Sequence, residues 1–384
     1  MNIMVPSQPR RIAIVHEWFT AMRGGEKCVE AMCELYPDAT VFALLHNKGS
    51  VSETIERMNI RTSFVQHLPL RNSHYRNYLP LFPHAIESFD LSSFDLVISS
   101  NHCVAKGVHV RPSALHLCYC YTPMRYIWGL YDQYFSKERA GPLTRMGMRL
   151  VRPYLRKWDV RTSQNPQHFI AISRNVQQRI HQTYGRTSDI VYPPVETKRF
   201  SLSHTPGEYY LIVSALVPYK RVDLAIEVFN RLQEKLVIVG DGPELGRLKS
   251  KAGQNIEFAG FRPDNDLVDY YRQCKALIFP GEEDFGIVPV EAMACGKPVI
   301  AFSKGGALET VIDTNEIRTG ILFDEQSPES LLAAIERFKR MEFNPDQLRN
   351  FSLKFDKEEF KNNFRTYVEN RWQEFLSRSP QTIE

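Results

Sequence analysis

GEEDFGIVPVEAMACGKPVIA, residues 281–301, decides how the rest of the chain is read. A buried strand, Ala276–Phe279, runs up to it. Phe285-Gly286-Ile287 then turns the chain into an apolar, Ala-containing helix over 288–294, and Pro298–Phe302 is again a buried strand. A near-continuous apolar strand, a glycine turn, a helix and another such strand imply a parallel sheet covered on both faces. Two acids frame the turn, Glu283 just past the first strand and Glu291 inside the helix. Gly286 lets a backbone approach a ligand closely, and the unbonded N–H groups at a helix start suit a phosphate. A carboxylate such as Glu283 can accept hydrogen bonds from sugar hydroxyls, and Glu291 can reach a ribose. The plainer alternative is a solvated acidic loop before an ordinary helix. Two acids framing a strand–glycine–helix turn favour the binding reading.

The same alternation extends in both directions. Upstream of Tyr192-Pro193-Pro194, strands are expected over 11–15, 39–44, 95–99, 115–120, 168–172 and 189–191. Helices are expected over 26–35, 143–162 and 175–183. Two consecutive prolines continue neither a helix nor a central strand, so this point reads as a hinge. Beyond it strands are expected over 209–214, 235–239, 256–258, 276–279, 298–302 and 320–323. Helices fall at 222–232, 243–251, 266–273, 288–294 and 327–340, with a polar, aromatic-studded helix at 357–377. The expected organisation is an N-terminal Rossmann-like domain, 1–194, a second over 195–355, and a C-terminal helical segment, 356–384, packing back toward the first. Ligands of doubly wound sheets bind at the carboxyl ends of the strands.

The chain has 384 residues, 43% hydrophobic and 24% charged, which excludes disordered, collagen-like and coiled-coil classes. A single core stops growing near ~250–300 residues, consistent with two domains. The net charge of +4 is unevenly distributed. Residues 1–194 carry 23 Lys+Arg and 14 Asp+Glu, the remainder 25 and 30. The seven cysteines show no metal-ligand spacing and read as reduced and buried. No secretory leader is evident at the start, and the longest apolar run, YYLIVSALV, is too short to span a bilayer.

Two further stretches carry chemistry. SALVPYKRVDLAIE, 214–227, places Lys220 and Arg221 directly after a strand, where a cation can stabilise a departing diphosphate; the alternative is a solvated surface pair. HEWFTAMRGGEKCVEAM, 16–32, places Gly24-Gly25 before a helix, a layout that admits a phosphate. Two look-alikes are set aside. Gly240-Asp-Gly242 lacks the third glycine of a dinucleotide fingerprint, Leu245 standing in its place. Asp264-Asn265-Asp266 resembles a metal–nucleotide DxD element but reads as a helix N-cap.

In this order the three stretches resemble family 4 glycosyltransferases, retaining enzymes of the α/β GT-B architecture with two Rossmann-like doubly wound parallel-sheet domains facing a central cleft. The Glu283-to-Glu291 motif is the most specific element, with FAGF (258–261) and GDGPE (240–244) upstream. The resemblance implies a nucleotide-sugar donor held mainly by the C-terminal domain, with Glu283 and Lys220 as the catalytic pair. Donor binding would fall to Gly24, Gly25, Lys220, Arg221, Phe261, Phe285, Gly286, Ile287 and Glu291. His102 and Tyr121 would face the sugar or acceptor. HEWF…GGEK, CYCYTPMRYIW (118–128) and SALVPYKRVDLAI look like the bacterial mannosyl- and rhamnosyltransferases of O-antigen or exopolysaccharide assembly. That subgroup implies a GDP-linked donor, a lipid-linked or oligosaccharide acceptor, and a place in the cytoplasm or at the inner face of the plasma membrane. It implies no cofactor, no metal and no nucleic-acid partner. Relatives commonly carry histidine where this chain has Tyr121, and arginine where it has Ala215. A sugar-nucleotide epimerase or hydrolase, or a non-catalytic sugar-nucleotide binder, would use the same fold.

Residues 125–161 carry nine Lys+Arg and three Asp+Glu, with Tyr126, Ile127, Trp128, Tyr131, Tyr134, Phe135, Tyr154 and Trp158 interleaved. Basic residues beside aromatics suit an anionic membrane surface or a lipid-diphosphate acceptor, and they also suit single-stranded nucleic acid. The alternative is an amphipathic helix whose aromatics lie in the core.

Overall fold

The structure is a computed structural model that describes residue 9 and residues 11–129, 141–205, 207–314 and 316–378. Tyr131, Tyr134 and Phe135 of the basic stretch lie outside the described residues. The chain divides into two compact units. Unit 1 contains the described residues up to Tyr192 together with those from Phe360 onward, and unit 2 is Pro193–Glu359.

Unit 1 is built on seven parallel strands: β1 (Ile12–Phe19), β2 (Thr40–His46), β3 (Asn59–Thr62), β4 (Leu96–Asn101), β5 (Leu115–Cys120), β6 (His168–Ala171) and β7 (Ser188–Ile190). Their order is β3-β2-β1-β4-β5-β6-β7, so the direction of winding reverses between β1 and β4. β1, β4 and β5 are buried almost throughout, which is why each opens on apolar residues, although His16, Glu17, Ser99, Ser100, Asn101 and His116 are buried among them. Residues 360, 364, 368 and 372 line the buried stripe of the helix Lys357–Arg378 at a four-residue spacing. The rings of Phe360 and Phe364 each meet Tyr119 edge-on at 5.8 Å, Lys361 pairs with Glu34 at 3.2 Å, and Arg371 pairs with Asp189 at 2.8 Å.

Unit 2 repeats the plan with β8 (Tyr209–Val213), β9 (Leu236–Val239), β10 (Ile256–Gly260), β11 (Cys274–Phe279), β12 (Val299–Phe302) and β13 (Gly320–Phe323). The order β10-β9-β8-β11-β12-β13 is again parallel, with its reversal between β8 and β11.

Four sequence expectations change. β3 (NIRT) went unread because it is an edge strand with alternating exposed residues, paired only to β2. β1 continues past Val15 to Phe19, so His16 and Glu17 belong to a buried strand rather than to a loop. The helix expected over 243–251 contracts to Leu245–Lys249. Glu244 N–H instead donates to the Leu216 carbonyl at 3.1 Å, and a Cβ on Gly242 would lie 2.5 Å from that oxygen. Asp264 is not an N-cap: Pro263 holds that position, and Asp264 forms an ion pair with Arg199 at 2.6 Å. All seven cysteines are buried free thiols. Among the described residues no helix is long and apolar enough to cross a membrane.

Candidate functional site

Doubly wound sheets bind ligands beyond the carboxyl ends of the strands that flank the reversal. In unit 2 those strands are β8 and β11, and the loops that leave them carry the basic and acidic motifs. After β8, Pro218–Lys220 forms a single 3-10 turn, and Arg221 closes it in the left-handed region at φ 53° before the helix Val222–Leu232. After β11, the chain passes through Glu283 and Phe285 to Gly286 at φ 92°, which opens the helix Ile287–Ala294. Gly281 allows the two loops to touch, since a Cβ there would lie 2.8 Å from Lys220 Cα. The Lys220 ammonium forms an ion pair with the Glu283 carboxylate, and both side chains are part-buried.

Other residues brace this pair. Arg221 reaches Asp223 and Gln326 at 3.3 Å each, while the Gln326 amide donates to the Pro280 carbonyl at 2.9 Å. Gly306 N–H donates to the Glu283 carbonyl at 2.8 Å, and Gly305 bridges Glu283 in parallel register. A Cβ on Gly305 would overlap the Glu283 carbonyl, and one on Gly306 would overlap the Phe285 backbone. The acidic turn is therefore clamped by a glycine pair that the sequence reading did not single out. Its signal was present in Gly305-Gly306 shortly after a buried strand.

The Phe285 side chain is buried against Phe355 at 5.4 Å, which keeps its ring from a ligand. Gly286 and Ile287 present helix-start N–H groups with no side-chain cap. Glu291 is nearly buried, with one carboxylate oxygen accepting from the Tyr271 hydroxyl at 2.7 Å. Phe261 follows the edge strand β10 and is 74% exposed. The structure thus gathers Lys220, Arg221, Glu283 and Phe285–Ile287 at the reversal, with Glu291 one helix turn behind and Phe261 two strands away. Chemically the cluster offers a cation held at a defined point, the helix-start amides of Gly286 and Ile287 for an anion, and a carboxylate for hydroxyls.

In unit 1 the residues at the reversal are Glu17, Gly24, Gly25, His102 and Tyr121. Gly24-Gly25 opens the helix Gly24–Leu35. A Cβ on Gly25 would sit 3.7 Å from both the His16 and Tyr121 rings, an ordinary contact distance. The Tyr121 hydroxyl donates to the Gly25 carbonyl at 3.0 Å and meets Ser100 Oγ at 2.8 Å, and Ser100 Oγ meets His16 Nδ1 at 3.0 Å. Tyr121 is therefore buried and engaged with protein partners. His16 Nε2 lies 3.7 Å from Glu26. Burial alone would lower the His16 pKa, but Glu26 and Glu17 outweigh it and hold the pKa above its ordinary value. β1 loses its β4 partner after the His16–Ser100 pair, where the two strands part. Into that opening Glu17 sends a fully buried carboxylate. One oxygen accepts from the backbone N–H groups of His102, Cys103, Val104 and Ala105 at 2.8–3.3 Å, and the other lies 2.9 Å from His102 Nδ1. Burial would raise the Glu17 pKa, but His102, His16 and the backbone donors hold it at about 2. His16, Glu17 and Glu26 escaped the sequence reading, although a His-Glu pair inside the apolar run IAIVHEWF was the available signal.

Known proteins place this architecture. Residues 195–355 match the family described as Glycosyl transferases group 1. That stretch lies within unit 2 and is less than half of the chain. An uncharacterized glycosyltransferase of Methanocaldococcus jannaschii is 29% identical over 174 residues, covering 44% of this chain and 48% of its own. A GDP-mannose-dependent alpha-(1-6)-phosphatidylinositol monomannoside mannosyltransferase of Mycolicibacterium smegmatis is 28% identical over 196 residues, covering 43% and 50%. The chain spans about half the length of these curated relatives. Among solved structures, Anabaena HepE in complex with UDP and glucose superposes with a TM-score of 0.66 at 17% identity, over 93% of this chain and 98% of that one. The fold is of the GT-B class, with two parallel-sheet α/β units.

Proposed function

We propose that the protein is a glycosyltransferase that moves a hexosyl group from a nucleoside-diphosphate sugar to an acceptor hydroxyl. The observation that carries this reading is the Lys220–Glu283 pair beside the uncapped helix start at Gly286–Ile287. In this reading a donor diphosphate takes Lys220 and the helix amides, while Glu283 turns to the sugar hydroxyls. A cation ~4 Å from the leaving phosphate stabilises it by on the order of 4 kcal/mol at an effective dielectric near 20. Positive charge supplied by the chain itself is consistent with metal-independent transfer. Displacement on one face of the sugar, with retention, needs positioning and charge stabilisation and no protein nucleophile. Mannose or rhamnose on GDP is the donor we favour, supported by the mannosyltransferase among the relatives. Thermal-shift titration with GDP-, UDP-, ADP- and dTDP-sugars tests this directly: stabilisation by GDP-mannose is expected, and a preference for another base would overturn the donor assignment. Lys220→Ala should lower turnover by about 10²–10³-fold with the fold intact.

For the acceptor we favour a lipid-linked glycan presented at an anionic membrane surface. Three of the four described aromatics of the basic stretch do not support this: Trp158 is a core residue, and Tyr126 and Trp128 are part-buried, while Ile127 beside them is buried. The support comes from the helix Pro142–Thr162, where Met146, Leu150 and Tyr154 form an exposed stripe at a four-residue spacing, 59%, 75% and 53% accessible. Arg145, Arg149 and Lys157 accompany it on the same helix. An apolar stripe flanked by cations fits the interface of an anionic bilayer. Co-sedimentation with phosphatidylglycerol vesicles, lost in Leu150→Glu and in high salt, is expected; indifference to anionic lipid would reject this part of the reading.

A further inference from the structure

The helix Ile287–Ala294 has only eight residues, about two turns, too few to hold its place without tertiary contacts. Its first amides can serve a diphosphate only if something fixes the helix along its axis. The carbonyls of its last turn show where that happens. Those of Glu291, Ala292 and Met293 are met by the N–H groups of Cys295, Gly296 and Lys297 at 2.8–3.3 Å. The Ala294 carbonyl would look to residue 298, but Pro298 has no N–H to give. Arg349 fills that gap: its Nη1 donates to the Ala294 carbonyl at 2.8 Å. The same nitrogen donates to the carbonyls of Thr197 and Phe200 at 2.8 Å and 2.7 Å. A cation at a helix C-terminus is favoured by the helix dipole as well.

Arg349 lies on the helix Pro345–Ser352, whose start comes so close that a Cβ on Gly296 would sit 2.8 Å from Pro345 Cβ. The chain continuing from that helix brings Phe355 against Phe285, at the opposite end of Ile287–Ala294. Thr197 belongs to the segment that enters unit 2. In that segment Val195 N–H donates to the Phe355 carbonyl at 2.9 Å, and its carbonyl accepts from Lys357 N–H at 3.0 Å. One guanidinium thus ties the helix to the paired segments through which the chain enters and leaves unit 2.

We propose that Arg349 is a positioning residue of the donor site, whose guanidinium sets the axial position of the helix Ile287–Ala294 and with it the Gly286 and Ile287 amides. The donor as a nucleoside-diphosphate sugar rests on the transfer reading above; the tie between Arg349 and the helix rests on the hydrogen bonds alone. Without the guanidinium the Ala294 carbonyl loses its partner, and the helix frays and shifts from that end. A donor must then select the docked fraction of molecules, and its apparent affinity falls by that fraction. Once the donor is bound the helix is back in place and the chemical step is unaltered. The signature is a raised donor KM at unchanged kcat. An arginine that served the fold alone would lower the melting temperature and the active fraction, and leave the donor KM as it was.

Arg349→Met keeps the apolar stem and removes the donors, while Arg349→Ala also leaves room for a free guanidinium ion. With GDP-mannose as donor and methyl α-mannoside or water as acceptor, both should raise the donor KM by about 10-fold, the worth of one charged hydrogen bond. Guanidinium chloride at a few tens of millimolar should restore the KM of Arg349→Ala, and sodium chloride at the same concentration should not. In the free protein, amide hydrogen exchange over 290–296 should quicken in both variants and slow again in Arg349→Ala on adding guanidinium. A folded variant with the wild-type donor KM, or with wild-type exchange over that helix, would overturn the proposal; Arg349→Met carries the test if Arg349→Ala does not fold. If no sugar nucleotide binds the wild-type protein, the transfer reading fails, while hydrogen exchange still decides whether Arg349 holds the helix.

Discussion

Lys106 has no exposed surface. Its ammonium pairs with Asp159 and lies 5.3 Å and 5.2 Å from the rings of Trp158 and Tyr184. Trp128 and Tyr184 donate to the other Asp159 oxygen at 2.7 Å and 2.9 Å. A buried ion pair is weak evidence of stability, but breaking one strands a charge away from water at a cost of about 3–5 kcal/mol. Lys106→Met should lose that much in denaturant unfolding. Adding Asp159→Asn should recover part of it, because the stranded charge is then gone while its oxygen still serves Trp128 and Tyr184. Strictly additive losses would contradict this picture. The sequence offered no route to the pair: its members lie 53 positions apart, and a lone lysine in CVAKGV (103–108) names no partner. Lys220 and Glu283 were readable because each lies in the loop that leaves a buried strand, a local feature. Their contact, like that of Glu17 with His102, depends on which strands become neighbours.

Among elements, the glycine clamp makes the sharpest demand. Gly305 sits at φ 68°, and its Cβ position is occupied by the Glu283 carbonyl. Gly305→Ala must therefore displace the acidic turn or strain its own backbone. Left-handed strain and overpacking together are worth about 1–3 kcal/mol. The melting transition should fall by roughly 2–4 °C for each of these, with a loss of donor affinity that a purely global destabilisation would not produce. Gly25→Ala serves as the contrast, since its methyl group finds ordinary contacts. The buried strands and the helix that ends the chain were readable from apolar runs and four-residue spacing. β3 and the carboxyl half of β1 were not. The first is polar because it is an edge, and the second carries a His-Glu pair that normally marks a loop.

For the molecule as a whole, two buried histidines of unit 1 pull stability in opposite directions with pH. Burial pushes His116 down to about 3, so between pH 6.5 and 3 the unfolded chain binds a proton that the folded chain refuses. Stability falls as pH falls through that window. His168, lowered by burial and by Arg371, acts in the same direction. His16 is raised, so its contribution is complete below pH 6.5 and is lost as pH rises through its folded value. Glu17 adds stability above about pH 4.5 that disappears toward pH 2. Thermal melts against pH should thus show a maximum near neutrality. His116→Gln should flatten the slope between pH 6.5 and 4.5, a range in which Glu17 does not yet titrate. An unchanged slope there would rule His116 out as the cause.

The sheet orders had to be seen in three dimensions, but the two-unit plan followed from the alternation on either side of Pro193-Pro194. Because unit 1 takes in the helix Lys357–Arg378 from Phe360 onward, the order in which the chain is made matters to it. Unit 1 is discontinuous: its strands emerge first from the ribosome, yet Tyr119 has no Phe360 or Phe364 to cover it until all of unit 2 has been synthesised. Unit 2 is contiguous and can close while still tethered. The earlier-made half must wait with an uncovered apolar face, and that interval is when a nascent chain depends most on chaperones.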